Sequence, residues 1–163
     1  MNLIPTLRRQ KGQTLIEALV ALGIAVTIIS AITSVVVSSL NNSTYSKNQD
    51  LARSYVQQSL EKIRGLVQSN YSTFLNTYSS LSYCIDDNNN LVTKSANCNS
   101  IKTGIFIREA DFETQSSDCQ SNLKVTVTVS WNDSKCNSRL NLYCHNVSSS
   151  TCFANLNAVP SPI

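Results

Sequence analysis

Residues 15–40 form a run of uncharged, mostly apolar side chains broken once, by Glu17, and preceded by Arg8, Arg9, Lys11 and Gly12. As a helix, these 26 residues extend roughly 39 Å against about 30 Å of bilayer hydrocarbon, enough to span a membrane once. A carboxylate at the bilayer centre costs about 2.5–3.5 kcal/mol on insertion scales, so Glu17 requires a partner. The basic flank marks the cytoplasmic side by the positive-inside bias, which puts the bulk of the chain on the far side.

The 163 residues leave room beyond this segment for one modest domain with its own core. The formal charge of +3 resides in Arg8, Arg9 and Lys11, and the remaining ten basic and ten acidic side chains balance. No basic surface is left to argue for nucleic acid binding. Ser, Asn and Thr supply about a third of the chain and charge is sparse, as suits a neutral, hydrated surface outside the cell. Six cysteines, at 84, 98, 119, 136, 144 and 152, all lie beyond the apolar run, so disulfides in an exported domain are expected. Their spacings do not match paired CxxC zinc knuckles, and the single histidine, His145, completes no familiar zinc set.

An ordinary secretory signal peptide fits this segment poorly. The apolar stretch exceeds the usual 7–15 residues, begins with an acid near its edge, and offers only Ser38 and Ser39 as a weak exit site. Arg8-Arg9 stands too isolated for a twin-arginine signal. A plain single-pass anchor explains length and orientation but leaves Glu17 without purpose.

The run Lys11-Gly12-Gln13-Thr14-Leu15-Ile16-Glu17-Ala18-Leu19-Val20-Ala21-Leu22-Gly23-Ile24 resembles the amino-terminal signature of type IV pilins and type II secretion pseudopilins. The resemblance implies cleavage after Gly12 by a membrane prepilin peptidase, with N-methylation of the new terminus, Gln13. It also places Glu17 at the fifth mature position, where the family carries the acid that meets the terminal amine of a neighbouring subunit. Coulomb attraction between such groups amounts to several kcal/mol at an effective dielectric near 20, most of it offset by desolvation. The gain is register and recruitment more than stability. Gln13 departs from the phenylalanine most common at that place, and Ser34 stands where major pilins often carry proline; both point to a minor subunit.

With no proline between Pro5 and Pro160, one helix is expected over residues 14–67, near 80 Å if continuous, with a soft point at Asn41-Asn42-Ser43. Leu51, Tyr55, Val56, Leu60, Ile63 and Val67 recur at helical spacing and give a face for packing on a head domain. Residues 52–66 look like the corresponding stretch of pilus-modification minor pilins and I-type pseudopilins, while Glu61 and Arg64 make a solvated i, i+3 pair. Residues 123–131 alternate with period two, as do 140–144, with 132–138 as a hairpin loop and a shorter strand over 105–108. Pairing Leu123 near Val147 brings Cys119 close to Cys152, and Cys84 with Cys98 closes a loop of its own. Cys136 and Cys144 then stand too far apart on a straight ladder for the usual Cα separation below about 7 Å. The alternative joins Cys144 to Cys152 and Cys119 to Cys136.

Asp86, Asn88 and Asn90 mimic the start of an EF-hand loop, but Leu91 stands where glycine makes the turn and Asn97 where glutamate closes the site. Sequons at Asn41, Asn42, Asn70, Asn132 and Asn146 are what an Asn- and Ser-rich chain yields by chance. His145 beside Cys144 suggests a thiol and base, yet neighbours on a strand face opposite ways. Trp131 reads as a core residue at a strand end, and no triad, paired acids or phosphate-cradling loop appears.

The expected fold is α+β, a long amino-terminal helix packed on a small antiparallel sheet. Its expected parts are a leader at 1–12, a transmembrane assembly half at 13–40 and an extracytoplasmic head at 41–163. The expected function is a minor subunit of a type IV pilus or pseudopilus; the alternative is an uncleaved, membrane-anchored extracellular binding module. No catalytic residue, metal or cofactor is expected. The partners are other pilin subunits, the prepilin peptidase and the cytoplasmic membrane, and the destination is an extracellular or periplasmic filament.

Overall fold

A computed structural model describes residues 13–78, 82–114, 116–119, 123–133, 136 and 143–154. Helix α1 covers Gln13–Ser69, its 57 residues free of proline. It runs unbroken through Asn41-Asn42-Ser43, the expected soft point, because three weak helix formers inside a long helix lose only tenths of a kcal/mol each. The Thr44 hydroxyl donates back to Leu40 O at 3.0 Å in the same turn. The chain divides into a unit ending at Tyr45, described as helix alone, and a unit beginning at Ser46.

The second unit is a two-layer α+β head. Its helical layer is the remainder of α1 followed by α2, Tyr71–Tyr78, whose start is capped by Asn70: its Oδ1 accepts the Thr73 N–H at 3.0 Å. Ala52, Val56, Ile63 and Val67 are buried along one face of α1. The stripe is rotated slightly from the expected one, with Ala52 inside and Leu51 exposed, because the small side chain sits where α1 lies against the sheet core.

The antiparallel sheet consists of β1 (Ser82–Ile85), β2 (Leu91–Thr93), β3 (Lys102–Thr103), β4 (Phe106–Thr114), β5 (Leu123–Trp131) and β6 (His145–Phe153). Its order is β2-β1-β4-β5-β6, with β3 pairing β4. β5 has the period-two burial its sequence prescribes, Leu123, Val125, Val127, Val129 and Trp131 facing the core and their neighbours facing out. The short strand expected at 105–108 is the start of the nine-residue β4.

The return strand differs from expectation. β6 begins at His145 and not at Leu140, and Leu123 pairs with Phe153 while Val147 pairs with Val129. Residues 140–142 lie outside the described residues. β6 carries few apolar side chains, so backbone pairing with β5 and not patterning defines it, which is why alternation alone misplaced it.

Across the sheet, Phe106, Arg108, Ala110 and Phe112 of β4 lie on the core face opposite Trp131, Val129, Val127 and Val125. Aromatic rings fill the space, with Tyr55 edge-on to Phe106 at 5.3 Å and Phe74 edge-on to Phe112 at 5.4 Å between centroids. The unexpected member of this row is Arg108, 2% exposed. Its guanidinium lies 5.2 Å from the Tyr55 ring centroid and donates to Asn89 Oδ1 at 2.7 Å, to Thr103 Oγ1 at 3.0 Å and to Asp86 O. Desolvation draws its pKa below the ordinary arginine value, yet guanidinium remains charged at any physiological pH.

Arg108 thus fastens the β1–β2 turn and β3 to the core. Arg108→Ala should lower head stability by about 3 kcal/mol, because Asn89 and the Asp86 carbonyl lose a charged donor. Arg108→Lys should recover less than half of that, lacking the planar fork. Thermal unfolding followed by circular dichroism checks this; a melting temperature unchanged in the alanine variant shows the network to be inert.

Candidate functional site

The expected site residues fall into two places, the start of α1 and the cysteine-bearing loops of the head. Gly12 lies outside the described residues. Gln13 is the first residue of α1, and Glu17 stands four residues on, within its first two turns. After Thr14 the helix around Glu17 is apolar: Leu15, Ile16, Leu19, Val20 and Leu22 are all more than half exposed in their unit. A helix apolar all round requires lipid or other helices as its surroundings. This helix is long and apolar enough to cross a membrane.

Its hydroxyl groups are compatible with that environment. Thr27 donates to Ile24 O at 2.7 Å, Ser30 to Val26 O at 2.8 Å and Thr33 to Ile29 O at 2.9 Å, so each proton is satisfied within the helix.

In the head the six cysteines form three disulfides, Cys84–Cys98, Cys119–Cys152 and Cys136–Cys144, with Cα separations of 5.5, 5.7 and 5.4 Å. The first lies on the outer face of the sheet with Ile107. The third corrects the expectation that Cys136 and Cys144 stand too far apart: Cys144 precedes β6 and is not on the ladder. The alternative of Cys144 with Cys152 and Cys119 with Cys136 does not form.

The EF-hand-like residues have a local role. The Asp86 carboxylate accepts the backbone N–H groups of Asn88 and Asn90 at 2.9 and 2.7 Å, and Asn90 Nδ2 at 3.1 Å, closing the β1–β2 turn in which Asn89 has φ 58°. The Asn90 backbone bond, first among these, holds the Asp86 pKa below the usual carboxylate value. The Glu61 and Arg64 pair forms at 2.6 Å with both side chains solvated.

Sequence reasoning missed two arrangements. One is buried Arg108, for which no local pattern gives a signal. The other is the corner after β5, where His145 Nε2 lies 2.9 Å from Asp133 Oδ2 and its ring stacks on Trp131 at 5.4 Å between centroids. Cys144 and His145 do not face opposite ways here, since only His145 belongs to the strand.

A long apolar-then-amphipathic helix followed by an antiparallel sheet is the α+β architecture of a pilin fold. Residues 7–39 match the family model described as the prokaryotic N-terminal methylation motif, the signature of type IV pilins and pseudopilins. No curated protein and no solved structure matches the chain. The motif supports a type IV pilin-like, prepilin-processed subunit, anchored by its apolar helix with an extracellular or periplasmic head, and made for assembly with other pilin subunits.

Proposed function

We propose that the chain is a minor subunit of a type IV pilus or pseudopilus. Its residues 1–12 are the leader, 13–40 the membrane and assembly half of the helix, and 41–163 the extracytoplasmic head. Prepilin peptidase cuts between Gly12 and Gln13 and methylates Gln13, and Glu17 pairs with the terminal amine of a neighbour as the helix enters the filament.

The observation that carries this is one acid in the opening turns of an otherwise uncharged, mostly apolar helical run, inside a segment that matches the methylation motif. Cleavage creates the amine that the acid requires, so processing gates assembly. An unmethylated terminal glutamine can cyclise and lose its charge, which would deprive Glu17 of its partner. The head has no role in chemistry in this scheme; it determines contacts with neighbours or cargo.

Co-expression with a prepilin peptidase tests the first step. The wild-type chain should shorten by its leader, whereas Gly12→Val should remain full length in the same membranes, as judged by electrophoresis and amino-terminal sequencing. Equal processing of both chains would refute the assigned cut, and no processing of either would favour the uncleaved anchor.

A further inference from the structure

The corner between β5 and β6 gathers side chains that filament assembly leaves unused. Asp133, Cys136, Cys144 and His145 bring a carboxylate oxygen, two sulfurs and an imidazole nitrogen within 4.8 Å of one another. Asp133 and Cys136 share a turn closed by the Cys136 N–H on Asp133 O at 3.2 Å, so one short segment presents two donors. Cys144 and His145 arrive together at the base of β6. The imidazole is held by the Asp133 carboxylate at 2.9 Å and by the face of Trp131.

The sulfurs are equally prepared. Cys136 Sγ accepts the N–H groups of Asp133 and Cys144 at 3.5 and 3.3 Å, bonds that favour the thiolate once the S–S link is open. The Cys136–Cys144 disulfide is the one among the three in which neither cysteine is buried, so neither of its ends is closed to a dissolved dithiol.

We infer that this corner is a zinc site gated by its own disulfide. While the bond is intact, both sulfurs are occupied and the site is closed. A dithiol reductant opens it: the reductant is oxidised to its own disulfide, and its two protons pass to Cys136 and Cys144 as thiols. Zn²⁺ then binds both sulfurs, His145 Nε2 and an Asp133 oxygen, displacing the two thiol protons to water.

Tetrahedral zinc with Zn–S near 2.3 Å and Zn–N and Zn–O near 2.0–2.2 Å sets its donors about 3.4–3.8 Å apart, within the span these four atoms already occupy. Two thiolates with an imidazole suit zinc and exclude hard calcium or magnesium. The metal takes over the work of the disulfide, keeping β6 tied to the end of β5 when the compartment turns reducing.

The test uses the full chain in detergent, treated with dithiothreitol under anaerobic conditions, loaded with zinc and desalted, with metal measured by atomic emission and Co²⁺ as a spectral probe. The reduced protein should hold one zinc per chain and show a thiolate-to-cobalt charge-transfer band, whereas the oxidised protein shows neither. Asp133→Asn and His145→Gln, which leave the cysteines intact, should each weaken zinc binding about tenfold or more. The Cys136→Ser/Cys144→Ser double variant, reduced in parallel, reports binding by the other four thiols. Absence of the charge-transfer band in the reduced wild type, or zinc binding unchanged in Asp133→Asn and His145→Gln, overturns the site.

Discussion

Glu17→Ala leaves cleavage after Gly12 intact and reduces incorporation into filaments at least about tenfold. In the proposed scheme the peptidase acts before assembly and at a bond more than a helical turn away, whereas the carboxylate acts when a processed helix leaves the bilayer and seats against its neighbour. A charge pair at about 4 Å is worth about 4 kcal/mol at an effective dielectric near 20, and desolvation removes most of it. A remainder of only about 1.4 kcal/mol is a factor of ten in the seating equilibrium. Registers that miss the pair leave a bare carboxylate among apolar side chains such as Ile16, Leu19 and Val20, so wrong registers suffer more than the correct one gains. Glu17→Gln separates charge from shape: it should assemble poorly too. The measurement is the share of the subunit in sheared filaments against the share left in membranes. Wild-type levels of the alanine variant in filaments would remove the pairing role.

The second large effect concerns β6. This strand is weakly anchored by apolar contacts, since Phe153 is its one buried side chain and Val147 is partly buried. The Thr126 and Ser150 hydroxyls meet across the ladder at 2.9 Å on the solvent side, a contact worth tenths of a kcal/mol. What ties the strand down is covalent, with Cys136–Cys144 at its start and Cys119–Cys152 near its end. Cys119–Cys152 spans 33 residues, a loop for which the chain-entropy model gives about 4 kcal/mol. That is a large part of the 5–15 kcal/mol typical of a domain. Cys119→Ser/Cys152→Ser should therefore lower the melting temperature by about 15 °C. Hydrogen exchange of β6 amides should accelerate well before that of β4 and β5. A melting temperature within 2–3 °C of wild type, at the level of a surface change, would show that pairing with β5 holds β6 without the link.

These effects differ in how far the sequence announces them. The apolar helix and β5 are legible because each has one dominant pattern: a mostly apolar run for residues 15–40, long enough to cross a membrane, and one core-facing side for Leu123 through Trp131. β6 is not, because Ser148, Ser149 and Ser150 join the sheet through their backbones and leave no apolar signature. β1 and β2 are four and three residues long, too short for alternation to register. Arg108 occupies a core-facing position where alternation calls for an apolar residue; only the convergence of Asn89, Thr103 and the Asp86 carbonyl accounts for it. Cys136 and Cys144 misled for a related reason. Cys144 precedes the strand and so escapes the geometry of a straight ladder, and His145, the first residue of β6, meets Asp133 beyond the end of β5.

Processing at Gly12 is the claim on which the filament role depends, and the intact mass of the protein extracted from its native membrane tests it most directly. The expected species begins at Gln13, lacks residues 1–12 and carries one methyl group. A full-length chain would contradict the account in favour of a permanent anchor, and a chain beginning beyond Ser38 would contradict it in favour of secretion.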